Sequence, residues 1–160
     1  MSALRLPHLV PLRVAIRSAV PADQEAIRAL VKSERLNPMG IDWPNFLVAV
    51  GTRGIVGAVQ LRKHPDGSRE LGSLVVAPEA RGHGIAARLI DALVTDHDGP
   101  VQMITGAQHA AHYQRWGFRR LEASRAPRSI RLNYRLGSLA CVISVLKRRA
   151  PRRLVILHRS

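Results

Sequence analysis

The stretch Leu71–Ile90, LGSLVVAPEARGHGIAARLI, limits what this chain can fold into more than any other. Its apolar run Leu74-Val75-Val76 reads as a buried strand, Pro78 as a turn, and Arg81-Gly82-His83-Gly84 as a glycine-rich corner. Ile85, Ala86, Leu89, Ile90 and Leu93 then recur at helical spacing, which predicts a helix from about Gly82 to Thr95 with one apolar face. A strand that passes through glycines into a helix N-terminus is an anion site. The first amides of the helix lack intrahelical partners, its macrodipole favours negative charge, and glycine removes the Cβ that would hold a ligand off.

Positive charge is the second constraint, and it lies elsewhere. Residues 1–114 carry a net charge of +2 and residues 115–160 a net +12, where Glu122 is the one acidic residue. Such a segment suggests a phosphate-bearing partner or a solvated basic face. At 160 residues the chain is expected to form one domain with a real core. Its single cysteine, Cys141, excludes an intrachain disulfide and fits a reducing compartment. No apolar run reaches the roughly 18 residues of a membrane span. The start, MSALRLPHLVPLRV, has prolines at 7 and 11 and no cleavable leader pattern, so the expected location is cytoplasmic.

The remaining elements are read in order. Leu12–Val20 alternates as a strand. Pro21 suits the first position of a helix, with Asp23 and Glu25 in its first turn and Ile27, Leu30 and Val31 on its buried stripe. Ser33–Pro44, broken by Pro38, Gly40 and Pro44, is irregular, with room for one short helix. Asn45–Val50, Gly54–Leu61 and Arg69–Val76 form three antiparallel strands, joined by turns at Gly51–Arg53 and at the HPDGS sequence, His64–Ser68. Val101–Thr105 follows a helix and pairs in parallel with the previous strand. Ala107–Trp116 is a helix ended by Gly117, and Phe118–Ala123 a strand. Pro127 opens a helix containing Ile130, Tyr134 and Leu136 that stops at Gly137, and Leu139–Leu146 is the last strand of a domain spanning 1–147. Residues 148–160 form a basic extension of uncertain structure. Its apolar Leu154–Leu157 reads as a homodimer contact, with an edge strand or a membrane-surface anchor as the alternatives.

Two motifs in these elements resemble the GNAT superfamily of acetyl-CoA-dependent N-acetyltransferases. The first is Arg81-Gly82-His83-Gly84-Ile85-Ala86, preceded by LVVAP, which is similar to the family's Arg/Gln-x-x-Gly-x-Gly/Ala signature. The second is Tyr113-Gln114-Arg115-Trp116-Gly117-Phe118, similar to a family helix ending Tyr-x-x-x-Gly-Phe. The resemblance covers roughly residues 12–147. It implies the GNAT acyl-CoA N-acyltransferase fold of the α/β (α+β) class, a mixed, mostly antiparallel sheet flanked by helices. It also implies acetyl-CoA as cosubstrate. LNPMGIDWPNFLVAV and APRSIRLNYRLGSLACVISVLKR further resemble the branch containing N-acetylglutamate-synthase-like and arsenic-resistance-associated acetyltransferases. That branch commonly places a Pro-led helix before its last strand, and it implies a small amino-acid-like acceptor.

On this resemblance Gly82 and Gly84, with the amides of His83, Ile85 and Ala86, cradle the pyrophosphate of acetyl-CoA. Arg81 either pairs with phosphate or caps the loop through its carbonyls, and His83 faces solvent near the phosphates. The backbone of Leu74, Val75 and Val76 takes the pantetheine arm where the strand parts from its neighbour, with Gly72 a place for a bulge that opens the gap. Tyr113 is the expected acid beside the leaving thiolate, the alternative being a core tyrosine packed on Trp116 and Phe118. Glu70 is the named base, the alternatives being a surface carboxylate or a water relay. His109 and His112 could titrate on the same helix as Tyr113. The asparagine that many relatives carry before the tyrosine is absent from Gly106-Ala107-Gln108-His109. No Cys/His cluster has metal-ligand spacing, so no metal is expected, and Cys141 is expected to be buried and inert in its predicted strand.

The expected partner is a small-molecule amine. The alternative is a GNAT fold whose basic C-terminal segment binds nucleic acid or a protein partner without catalysis. Against nucleic acid, aromatics make up 4% of the chain, which leaves few stacking platforms.

Overall fold

The computed structural model describes residues 12–36, 40–146 and 153–160, with backbone only at 142–146. Pro38 and most of the basic cluster at 147–153 therefore lie outside the described residues. A seven-stranded sheet runs in the order β1-β2-β3-β4-β5-β7-β6. Its strands are β1 (Ala15–Ser18), β2 (Phe46–Gly51), β3 (Gly54–Lys63), β4 (Arg69–Val76), β5 (Val101–Gly106), β6 (Arg119–Leu121) and β7 (Leu154–Arg159). Every neighbouring pair is antiparallel except β4 and β5, which are parallel as expected from the helix between them. No helix among the described residues is long and apolar enough to cross a membrane.

Helices cover both faces of the sheet. On one face, α2 (Ile85–Thr95) and the 3₁₀ turns Ala107–Trp116 bury Ile85, Leu89, Ile90, Leu93 and Trp116 against Val59, Leu71, Val101, Met103 and Leu157. On the other, α1 (Gln24–Ser33) packs Ile27 and Val31 on Phe46, Val48, Ala58 and Val75. Beside it, α3 (Arg128–Leu146) packs Ile130 on Ile156 and Ile104. The sequence stripe of α1 is thus the buried one.

Two local readings change, and a third gains partners. Asp23 stands in the first turn, as expected. It accepts the Val20 N–H at 2.8 Å and pairs with Arg17 at 2.6 Å. The Arg17 guanidinium holds its carboxyl below the usual range. The corner helix starts at Ile85, with Gly84 as its left-handed cap, so Gly82 and His83 belong to the loop. The segment Ala107–Trp116 winds as 3₁₀ turns, although Gly117 ends it as expected, at φ 80°.

The C-terminal third departs most from expectation. Gly137 does not stop a helix, and Leu139–Leu146 is not a strand: α3 runs through both. Gly137 is there for close approach. A Cβ on it would lie 3.1 Å from Leu154 Cδ1. Cys141 consequently sits on α3, half-buried, and not in a strand. The last strand is β7, inserted between β5 and β6, with Ile156 and Leu157 only 2% and 1% exposed. Leu154–Leu157 is therefore an interior strand and not a dimer contact, because its apolar side chains fill this chain's own core.

The β3–β4 turn anchors α3. Asp66 accepts the Ser129 backbone N–H at 2.8 Å, together with the Ser68 hydroxyl at 2.6 Å and its amide at 3.1 Å. These bonds, Ser129 first, pull its carboxyl well below the usual carboxylate range. Asp66 thus caps a helix distant in sequence, a role typically worth about 1 kcal/mol. Asp66→Ala should lower Tm by roughly 2–4 °C at neutral pH. A depressed folded pKa stabilises above the unfolded value, near 3.9, and the contribution is lost as pH falls through the folded one. The gap in Tm between wild type and variant should therefore narrow from about pH 4 downward in calorimetric scans.

Candidate active site

The site begins where β4 leaves β5. Only Glu70 and Leu71 of β4 pair with β5, opposite Gln102 and Met103. Just beyond, the β3 register slips, with Gln60 facing Gly72 and Ala58 facing Val75. Ser73 and Leu74 thus oppose Val59 alone, and Ser73 adopts a left-handed φ of 48°. A bulge of this kind bends a strand and increases its twist. It stands one residue beyond Gly72, where the sequence left room for it. On their β5 side Leu74, Val75 and Val76 consequently run along a gap, while Val75 and Val76 stay paired with β3 on the other.

The gap opens into two adjoining clefts. Leu74, Val76, Arg81 and Ala86 line one of ≈ 340 Å³, together with Glu34 and Leu36 from the end of α1. The glycine corner lines the other, of ≈ 320 Å³, with Gly82, Gly84, His112 and Arg115 on its walls. Gly82 and Gly84 have φ of +79° and +71°, and a Cβ on either would meet no atom within 4 Å. The corner therefore presents bare backbone to an open cleft at the N-terminus of α2, which suits a pyrophosphate.

Arg81 takes its loop-capping role. Its Nε donates to the Val76 carbonyl at 3.1 Å, and its guanidinium also pairs with Glu34 at 2.5 Å. His83 Nδ1 lies 2.9 Å from the Arg81 carbonyl, which closes the corner on itself. Arg115 is a second cation on the cleft wall, stacked 4.4 Å over the Trp116 ring. Sequence reading had placed it only as an unassigned position inside the second motif.

Tyr113 has the packing expected of a core tyrosine and keeps its hydroxyl engaged. It packs against Trp116 and Phe118, with ring centroids 6.2 and 6.3 Å away, and a hydrogen bond links its hydroxyl to Thr105 on β5, beyond the positions that pair with β4. Burial pushes the phenol above its usual pKa of 10, with the Thr105 bond opposing. Tyr113 is thus protonated across the neutral range. His112 is exposed, stacked edge-on to Tyr113 at 5.6 Å, and His109 is exposed as expected.

Glu70 is not a surface carboxylate. It is 6% exposed, on the face shared by α1 and α3, and it belongs to a buried polar floor with Gln60 and Gln102 at 0% and 4%. Cross-strand partners Arg62, Glu70, Gln102 and His158 form a row across β3, β4, β5 and β7. Glu70 bonds His64 and Asn133, Arg62 lies near, and Gln102 contacts His158 at 3.1 Å. None of these floor residues except Glu70 was singled out from sequence. The available signal was a polar residue inside each central strand, Gln60 in GAVQLRK and Gln102 in VQMI. The glycine corner thus borders the gap, while Glu70 lies at its closed end, where β4 still pairs with β5.

Comparison with known proteins agrees with this arrangement. The family model for an acetyltransferase (GNAT) domain matches residues 42–120, which include β2 to β5, the start of β6 and the whole corner. N-acetylglutamate synthase from Neisseria gonorrhoeae, solved with coenzyme A and L-arginine, superposes with a TM-score of 0.68 at 20% identity. That match covers 91% of this chain but 32% of the Neisseria chain, so this chain spans about a third of its length. Rv2747 from Mycobacterium tuberculosis, solved with CoA, gives a TM-score of 0.65 at 20% identity over 91% of this chain and 98% of its own. Escherichia coli ElaA gives 0.64 at 13% identity, over 92% and 100%. Among curated protein sequences none matches significantly. With the motif pair, the parted strands and the domain match all in one place, residues 42–120 match a GNAT acetyltransferase domain and the chain has the GNAT fold.

Proposed function

We propose that this protein transfers the acetyl group of acetyl-CoA to the primary amine of a small, amino-acid-like molecule by direct attack. The observation that carries the reading is the parting of β4 from β5 after Leu71, directly before the two-glycine corner of α2. The backbone along Leu74–Val76 receives the pantetheine arm as an added strand would be received. The amides of His83, Ile85 and Ala86, with Arg81 bracing the loop, hold the pyrophosphate. Arg115 adds a cation at the same cleft.

Glu70 takes a proton from the acceptor ammonium, and the freed amine attacks the thioester carbonyl. The new C–N bond forms as the C–S bond breaks, and Tyr113 supplies a proton or hydrogen bond to the departing thiolate. The likeness to N-acetylglutamate synthase supports an amino-acid-like acceptor. Calorimetry with acetyl-CoA tests the donor half, since micromolar-range binding is required. An acetylation screen over amino acids, polyamines, aminoglycosides and phosphinothricin-like analogues tests the acceptor half.

Tyr113→Phe keeps the ring packing and removes the hydroxyl. Its kcat should fall by about 10²-fold while acetyl-CoA affinity stays within a factor of about two. An unchanged kcat would leave Tyr113 with only its core role.

A further inference from the structure

We infer that His64 and Asn133 are positioning residues for Glu70, holding one carboxylate oxygen so that the other is left for the acceptor ammonium; the inference rests on the acetyl-transfer reading above. Among the described residues every contact of this carboxylate is made by Oε2. His64 Nε2 lies at 2.8 Å, Asn133 Nδ2 at 3.1 Å and Arg62 Nη1 at 3.6 Å. Ionised Glu70 can only accept, so His64 Nε2 carries the proton. Oε1 takes part in none of these bonds.

The three partners come from three elements, Arg62 from β3, His64 from the β3–β4 turn and Asn133 from α3. The turn is itself braced. The His64 amide donates to the Ser68 carbonyl at 3.0 Å, and Asp66 is tied to the start of α3. His64 and Glu70 side chains are 9% and 8% exposed. A carboxylate pinned in this way has a fixed plane, which a general base in a transfer reaction needs and a loose surface carboxylate lacks. The groups facing it are Arg62 and Gln60 from β3, His64 from the turn, Gln102 from β5, His158 from β7 and Asn133 from α3. The donors' bonds to a charged oxygen are the strong kind, so losing one frees the carboxylate to rotate out of its plane.

A purely structural role would tie α3 to the sheet and nothing more, and substitution separates the two. With the amine returned by the screen, His64→Leu should lower kcat by roughly 10- to 100-fold with KM for acetyl-CoA unchanged. His64→Gln, which restores an N–H donor, should recover most of the loss. Wild-type kcat in folded His64→Leu would overturn the inference. So would a His64→Gln enzyme as impaired as His64→Leu, which would make His64 a proton relay.

If His64→Leu does not fold, Asn133→Leu removes the second donor and is read in the same way. A direct measurement needs no acceptor: the ¹³C NMR resonance of the Glu70 carboxyl at neutral pH in ¹³C-glutamate-labelled protein, assigned with Glu70→Gln. A Glu70 resonance unmoved by either leucine variant overturns the inference even if acetyl-CoA binds. A moved resonance in a protein that fails to bind acetyl-CoA instead strikes the transfer reading.

Discussion

A chain ending at residue 152 should not fold. Removing Arg153–Ser160 removes β7, which pairs along six positions of β5 and, among the described residues, supplies the only ladder that holds β6. Without it β5 keeps two paired positions on β4, and β6 keeps none. Ile156 leaves the small core under α3, and Leu157 leaves the large core under α2. Burying each of these side chains is worth about 1.5–3 kcal/mol. Their loss, with two backbone ladders, is comparable to the roughly 5–15 kcal/mol by which a whole domain is stable. The truncated protein should show no cooperative thermal transition by circular dichroism and no acetyl-CoA binding. A sharp transition near the wild-type Tm would mean that β7 is dispensable, as an extension outside the domain would be. The positive charge of this region must therefore be probed by substitution, since deletion removes the sheet together with the charge.

This result also marks where sequence reading loses its grip. Up to Gly106 the elements announce themselves locally. The HPDGS turn, Pro21 ahead of α1 and the apolar stripe of α2 each act over a few residues, and the strands between them follow. Gly137 is different. A glycine after an apolar-patterned helix reads as a stop, and only the packing of Leu154 against it shows that it admits a strand instead. With the helix stopped early, the apolar residues of its second half took on the look of a strand, and the true last strand looked like a tail. The 3₁₀ winding of Ala107–Trp116 was likewise hidden, because side-chain spacing over ten residues does not separate it from an α-helix.

The same distinction divides the site. The glycine corner is contiguous, and the physics that suits it to an anion acts within six residues, so its geometry was legible. The polar floor is assembled by register. Arg62, Glu70, Gln102 and His158 meet because β3, β4, β5 and β7 align them, and Asn133 joins only because α3 is longer than its glycine suggested. Glu70 could be named from its place before the corner, but its partners could not.

The sharpest test of the donor corner uses the glycines against a matched control. Gly82→Val and Gly84→Val each force a side chain onto a left-handed backbone, at φ +79° and +71°. That conformation costs an L-residue about 1–2 kcal/mol, which a domain of ordinary stability survives. Neither new Cβ meets protein atoms within 4 Å, so nothing in the fold resists the side chain itself. It enters the cleft where the phosphates are proposed to lie, and it should break one or more amide–phosphate bonds. Charge-assisted bonds of this kind are worth about 1.5–3 kcal/mol each, so acetyl-CoA affinity should drop by roughly 10- to 100-fold. Gly67→Val supplies the comparison. Its φ is +83°, its Cβ also meets nothing within 4 Å, and it lies in the β3–β4 turn. The three variants should lose similar amounts of Tm, while calorimetry should find acetyl-CoA affinity reduced in the first two and unchanged in the third. Equal affinity in all three would remove the corner from the donor site, because backbone strain alone would then account for everything the glycines do.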